Sequence, residues 1–261
     1  MGDGLVTIVM PMHNDGKYIE SSLNSVLCQT YQHFEILIVD DASNDDSLVI
    51  VRNRFKDPRI KIFRNDCNKG AAYSRNLALR NATGEWIAFL DADDYWFPQK
   101  LERQISFMEK NEYKFSYTQY FEAGEDLIPV FKLSGPKRIT KYRMRKCSYM
   151  GCLTVMYSRK ALGLLQVDEK IKKRNDYALW LLASEKSSAY LLSEPLAIYR
   201  RRAGGISSVS LFQKLKWEKE VFRRYVSFTS VGAWIRAFRV AFFTFLKRKT
   251  YKTIVRRAVK K

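Results

Sequence analysis

Phe34-Glu35-Ile36-Leu37-Ile38-Val39-Asp40-Asp41 and Trp86-Ile87-Ala88-Phe89-Leu90-Asp91-Ala92-Asp93-Asp94 are two apolar strands, each ending in a cluster of carboxylates. The strand tips of an open α/β sheet are where ligands bind. Carboxylates gathered there repel one another unless a cation or hydrogen-bond donors absorb their charge. A metal-bound nucleotide would supply both.

Working outward from these strands, the first 125 residues alternate strand and helix signals. Residues 6–10 read as a short strand closed by Pro11, and from Tyr18 the apolar residues Ile19, Leu23 and Val26 recur at helical spacing. An Asn/Asp-rich turn caps a helix over residues 47–55, and residues 60–63 form a third strand. Asn68-Lys69-Gly70 leads into a helix over residues 71–80, and Gly84 admits the strand at 86–90. Pro98 opens a helix on which Leu101, Ile105 and Met108 share a face. Repeated βα units predict a mainly parallel sheet with helices on both sides. Beyond a strand at 115–120 the alternation loosens. Residues 122–150, with Gly124, Pro129, Gly135 and Pro136, read as a loop-rich, partly mobile segment. A strand is expected at 152–157 and a helix at 176–182.

The 261 residues suffice for one large domain with an appendage. Asp3 and Gly4 before a short apolar run give no secretory pattern. Cys28, Cys67, Cys147 and Cys152 form no CxxC pair and read as reduced thiols of a cytosolic protein. The net charge of +19 is segregated: residues 1–126 carry 14 Lys/Arg against 20 Asp/Glu, and residues 221–261 carry 12 basic residues and no acidic one. A mildly acidic front with a basic rear suggests an anionic surface as partner. Residues 231–246 are apolar and aromatic, but these 16 residues fall short of the roughly 20 that span a bilayer. Arg236 and Arg239 within them would each cost roughly 2.5–3.5 kcal/mol at mid-membrane. The segment is expected to lie on a membrane surface, the alternative being a helix packed on the catalytic domain.

Several motifs together resemble the inverting, family-2 glycosyltransferases of GT-A fold, in particular the bacterial teichuronic-acid, capsule and O-antigen polysaccharide enzymes. They are Val9-Met10-Pro11-Met12-His13-Asn14, Ser25 to Tyr31, Ile38-Val39-Asp40-Asp41-Ala42-Ser43, Gly70 with Ser74-Arg75-Asn76, Phe89 to Trp96, Asp176 to Trp180, and Tyr199-Arg200. The resemblance implies an α/β GT-A fold over residues 1–210, with a nucleotide-binding half (1–125) and an acceptor half (126–210), followed by a basic helical tail (211–261). It implies that Pro11, His13 and Asn14 line the nucleoside pocket, that Asp41 accepts a hydrogen bond from uracil, and that Arg75 reaches the nucleotide. Asp91-Ala92-Asp93 is the DxD element of such enzymes: Asp91 faces the ribose, and Asp93 binds a divalent ion, Mn²⁺ or Mg²⁺, on the diphosphate. Side chains at 91 and 93 alternate to one face of an extended chain and so can converge on one ligand. Asp94 reads as a cap before the Pro98 helix. Asp176 is the implied general base. Relatives often carry Glu-Asp there, whereas this chain has Asn175-Asp176, and losing that neighbouring charge leaves Asp176 easier to ionise.

The segment from Tyr199 to Ser207 holds no histidine, so that loop supplies no imidazole ligand; Arg200, Arg201 and Arg202 on it are expected to close over the diphosphate. No Gln-x-x-Arg-Trp motif follows Asp176, which favours addition of one sugar per encounter. The expected partners are a nucleotide-sugar donor, a lipid-linked glycan and an anionic membrane at the inner face of the cytoplasmic membrane. Two other classes fit less well. A nucleic-acid binder would share the high pI, but the strand-tip carboxylates oppose it and no recognised RNA or DNA module is present. A nucleotidyltransferase would open with a Gly-rich, basic loop, which Met10 to Asn14 lacks.

Overall fold

The computed structural model describes residues 4–202, 210–226 and 229–255. In chain order the elements are β1 (Val6–Met12), α1 (Ile19–Leu27), β2 (Phe34–Asp40), α2 (Ser47–Arg54), β3 (Ile60–Arg64), α3 (Ala71–Arg80), β4 (Trp86–Phe89), β5 (Tyr95–Trp96), α4 (Lys100–Lys110) and β6 (Phe115–Ala123). Then come β7 (Pro129–Leu133), β8 (Arg138–Ile139), α5 (Lys141–Met144), a 3₁₀ turn (Cys152–Thr154), β9 (Val155–Ser158), α6 (Arg159–Leu162), α7 (Asn175–Lys186), β10 (Ala189–Arg200), α8 (Leu211–Tyr225), α9 (Ser230–Tyr251) and β11 (Lys252–Ile254).

One sheet runs in the order β11-β7-β6-β9-β4-β1-β2-β3, with β10 branching onto β5, β6 and β8. The front strands β3, β2, β1 and β4 pair in parallel, as the βα alternation predicts. Behind them β9 runs antiparallel to both β4 and β6, so the rear half is mixed. All seven residues of β2 are buried, as befits a parallel strand covered on both faces. Alternate residues divide between two cores: Val9, Leu37, Val39 and Phe89 pack with α3, α7, α8 and α9, while Ile8, Met10, Ile36 and Ile38 pack with α1, α2 and α4. Gly84 is where the chain crosses β1 so closely that a Cβ there would lie 2.5 Å from the Thr7 nitrogen.

β1 continues through Pro11 instead of stopping at it. Met12 O accepts from Asp41 N on the β2 side, so residue 11 faces β4, which has already ended opposite Val9. A missing N–H costs nothing there.

The segment 122–150 differs from its loop-rich expectation. It holds β7, β8 and α5, and Met144, Cys147, Tyr149 and Met150 are buried. Its strands are too short to show a period; β7 forms a hairpin with the preceding β6, and the other partners, β10 and β11, lie far off in sequence. The strand expected at 152–157 begins as the 3₁₀ turn and extends only from Val155. All four cysteines are free thiols.

The tail packs on the domain. Val221 and Phe222 of α8 and Ala233 and Val240 of α9 join the first core, and β11 pairs antiparallel with β7. The opposite side of α9 presents Val231, Ile235, Phe238, Phe242 and Phe245 to solvent, each more than half exposed. Among the described residues no helix is long and apolar enough to cross a membrane.

Candidate active site

Parallel pairing brings the ends of β1, β2 and β4 to one edge of the sheet, and the loops leaving them carry the sequence-marked residues. Asp41, just past β2, is 3% exposed. Its carboxylate accepts from Lys69 N at 2.8 Å, Gly70 N at 2.7 Å and Asn65 Nδ2 at 2.7 Å. A carboxylate has about four acceptor sites, so one remains for a ligand donor. Gly70 holds φ at +89°, a conformation open to glycine, and this turn aims both backbone N–H groups at Asp41. His13 Nδ1 lies 2.8 Å from the Asp41 carbonyl and therefore carries the proton, which leaves Nε2 to accept from Asn68 Nδ2 at 3.0 Å. Asn14, in the left-handed region, ties the β1 loop to the β2 loop through Ser43 Oγ and Asn44 N. Pro11, His13, Asn14 and Asp41 thus lie together at the ends of β1 and β2.

The second cluster follows β4. Asp91 pairs with the buried guanidinium of Arg75, whose other arm donates to Asn175 Oδ1. Burial alone would lower the Arg75 pKa, but Asp91 beside it holds it above the ordinary arginine range. One planar cation therefore ties the β4 tip to the first residue of α7. Ala92 is buried, and the Ser22 hydroxyl lies 2.8 Å from its carbonyl and 2.6 Å from that of Asp94. Burial, with Asp91 adding repulsion and Arg202 partly offsetting both, pushes Asp93 up to about 6. Burial also raises the Asp15 carboxyl.

The three arginines expected over the diphosphate separate. Arg200, at the end of β10, is 6% exposed, and it donates to Asp93 O at 2.9 Å, Glu125 O at 3.0 Å and Ser21 Oγ at 3.2 Å. Its guanidinium thereby ties the Asp93 loop to the turn after β6 and to α1. Arg201 turns to Glu122 at 2.6 Å. Arg202 alone reaches the carboxylates, with Asp15 at 2.6 Å and Asp93 at 3.0 Å. Residues 203–207 of that loop lie outside the described residues. Asp94 does not cap a helix, since α4 has Gln99 as its N-cap. It accepts from Arg200 N at 3.0 Å, and burial, together with repulsion from Asp93 and Asp91, raises its pKa well above the ordinary value.

Asp176 sits in the first turn of α7, whose N-cap is Arg174. Among the described residues none hydrogen-bonds to its carboxylate, so it is not spent on capping. Asn175 beside it is held by Arg75, which also holds Asp91. Asp91 and Asp176 therefore both lie within electrostatic reach of one cation, Arg75.

Asp91 and Asp93 offer carboxylate oxygens, the hard ligands that suit a divalent ion of the Mg²⁺ or Mn²⁺ kind. Among the described residues no group of three or more His, Cys, Asp and Glu side chains gathers to hold an ion unaided. An ion at Asp93 would complete its shell with diphosphate oxygens and water, as Mg²⁺-type sites do.

Asp15, Asn65, Asn68 and Asn175 were not marked by the sequence reading. Asp15 had a signal, an acid two residues past His13 at a strand tip; the asparagines show their roles only through partners distant in sequence.

Comparison with known proteins places these residues in context. The profile of the family described as Glycosyl transferase family 2 matches residues 7–165. The chain is 40% identical over 207 residues to the putative teichuronic acid biosynthesis glycosyltransferase TuaG of Bacillus subtilis, covering 78% of this chain and 82% of that one. It is 40% identical over 228 residues to the Escherichia coli protein named UDP-Glc:alpha-D-GlcNAc-diphosphoundecaprenol beta-1,3-glucosyltransferase WfgD, covering 87% and 88%. The crystal structure of S. aureus TarS 1–349 in complex with UDP-GlcNAc superposes with a TM-score of 0.68 at 22% identity, covering 94% of this chain and 74% of that one. The fold is GT-A.

Proposed function

From the premise that the chain belongs to glycosyl transferase family 2 and is a glycosyltransferase, we propose that it moves a sugar, with inversion, from a UDP-sugar to a lipid-linked glycan. The observation that carries this reading is the Arg75 guanidinium shared by Asp91 and Asn175, which ties the DxD loop to the residue next to Asp176.

The chain's own groups divide the work. The remaining acceptor site of Asp41 takes the uracil N–H, and the doubly anchored His13 with Pro11 and Asn14 walls the base. Arg202 is 37% exposed and, among the described residues, its ion pairs are with Asp15 and Asp93, so it can exchange Asp93 for diphosphate oxygens when donor enters. Arg200 holds the Asp93 loop from behind. A divalent ion, Mn²⁺ or Mg²⁺, held through Asp93 would supply positive charge to the leaving diphosphate.

Asp176 takes the proton of the acceptor hydroxyl as its oxygen attacks the anomeric carbon. The bond from that carbon to the diphosphate oxygen breaks on the opposite face, and the electron pair leaves with the nucleoside diphosphate. One displacement inverts the anomeric centre. The freedom of Asp176 from hydrogen bonds suits a base that must accept one from the acceptor.

A lipid-linked acceptor fits the relatives' printed substrates and the outer side of α9. Val231, Ile235, Phe238, Phe242 and Phe245 recur every three or four residues, so they form a single stripe, with Ala233, Ala237 and Val240 on the buried side. Arg236, Arg239, Arg248 and Lys249 lie on the same helix, and residues 221–261 hold no acidic residue. An apolar stripe among cations fits an anionic leaflet. The enzyme would work peripherally at the inner face of the cytoplasmic membrane.

Asp176→Asn tests the assignment. It should bind UDP-sugar as the native chain does and lose turnover; unchanged turnover would place the base elsewhere.

A further inference from the structure

The tail also reaches the catalytic centre from the inside. Arg174 precedes α7 in a left-handed conformation, φ +64° and ψ +23°, which non-glycine residues adopt rarely. Its guanidinium lies 5.1 Å from the Tyr177 ring and donates to Glu218 Oε1 at 2.6 Å. Glu218 comes from α8 and is 7% exposed. The same tail holds the chain at two points before this one: Tyr225 Oη accepts from Asp168 N at 2.6 Å, and Lys247 of α9 donates to Ser148 O at 2.9 Å.

As a strut the Arg174–Glu218 pair is poorly made. Arg174 Nε and Glu218 Oε2 are both buried without a hydrogen-bond partner. A half-satisfied buried ion pair adds little to stability that apolar side chains would not. Its position is more telling, because Asp176 lies within electrostatic reach of both partners. The other charged or titratable groups around Asp176 are Arg75 of α3, Cys152 of the 3₁₀ turn and Lys247 of α9. Arg174 is the cation nearest to Asp176 in sequence, and without an anion to hold it, it would pair with Asp176. A carboxylate held in such a pair is a weaker base and is turned from the acceptor.

We propose that Glu218 is a positioning residue for sugar transfer: by keeping the Arg174 guanidinium on α8, it leaves the Asp176 carboxylate unpaired and facing the acceptor. This rests on Asp176 being the base. The tail is then part of the catalytic centre as well as its seat on the membrane.

The test is Glu218→Gln in the full chain, with kcat measured against pH and UDP-sugar affinity measured separately. Donor affinity should be unchanged, and kcat should fall by roughly 10²-fold, the lower end of what a general base contributes. The acid limb of the kcat profile should move to lower pH, because a closer cation favours the ionised carboxylate. Arg174→Met combined with Glu218→Leu removes the captor with its anchor and should return the limb to its native position. An unmoved acid limb in folded Glu218→Gln, whatever its kcat, would overturn the proposal. If that variant does not fold, Glu218→Asp decides: a smaller shift of the same sign supports the proposal and an unmoved limb overturns it. Native turnover in Asp176→Asn would instead overturn the base assignment itself.

Discussion

Arg75→Lys separates charge from geometry at the centre of the site. Arginine spans Asp91 and Asn175 with two arms of one rigid plane, and both contacts are sheltered, Arg75 being 6% exposed. Lysine keeps the charge but is a single point donor at the end of a flexible stem. It can hold Asp91 and will release Asn175, the uncharged partner. An acceptor left buried without a donor costs about 1–3 kcal/mol, and no further loss arises at Arg75 Nε, which has no partner to begin with. For a chain of this size each kcal/mol lowers Tm by roughly 2–4 °C. Turnover should suffer more than stability, because α7 loses its tie to the DxD loop and a misplacement of about 1 Å can cost 10²-fold. Urea unfolding, UDP titration calorimetry and steady-state kinetics on one preparation measure the three quantities. Native kcat in Arg75→Lys, with stability within about 0.5 kcal/mol of native, would show that the shared guanidinium does not organise the site.

Two further outcomes can be checked independently. Asp93 is pushed up to about 6, so the metal-free folded protein binds a proton there more tightly than the unfolded chain does; its stability should fall as pH rises from about 4 to 6. Mn²⁺ uptake should rise over the same interval, and urea midpoints in chelator against pH, with Mn²⁺ titrations alongside, would show either trend missing. Phe238 and Phe242 are each 59% exposed, and burying the exposed part of both rings is worth roughly 2–3.5 kcal/mol. Phe238→Glu with Phe242→Glu should therefore release the protein from anionic vesicles while circular dichroism stays native, and undiminished co-sedimentation would remove α9 as the seat.

The legible parts of this chain were those whose signal is contiguous. β2, β4, α3 and the DxD turn each carry their pattern within about ten residues, and the fold class followed from their alternation. The elements β7, β8 and β11 are short strands with too few residues to announce a local period, and β8 and β11 pair with distant segments. Arg200, Arg201 and Arg202 look alike in sequence, but strand alternation at the end of β10 turns the first inward and the next outward, leaving only the third at the carboxylates. Asp94 looked like a cap because it precedes Pro98; a backbone N–H more than 100 residues away claims it instead. The tail's composition pointed to a lipid surface and hid a second face. Small residues at 233 and 237, with Val240, sit opposite the large exposed ones, and that periodicity was present to be read. Truncating at residue 231 would therefore strip part of the core, so only surface substitutions on α9 separate membrane contact from folding. Glu218 had no signal at all, since an acid on an amphipathic helix is ordinarily a solvated one.

A crystal structure of Asp176→Asn with UDP-sugar and Mn²⁺, phased for the manganese anomalous signal, tests the central claim most directly. The metal peak should lie within coordination distance of the Asp93 carboxylate, with side chain 176 on the face of the sugar opposite the diphosphate. Manganese bound away from Asp93, or side chain 176 on the diphosphate side of the ring, would contradict it.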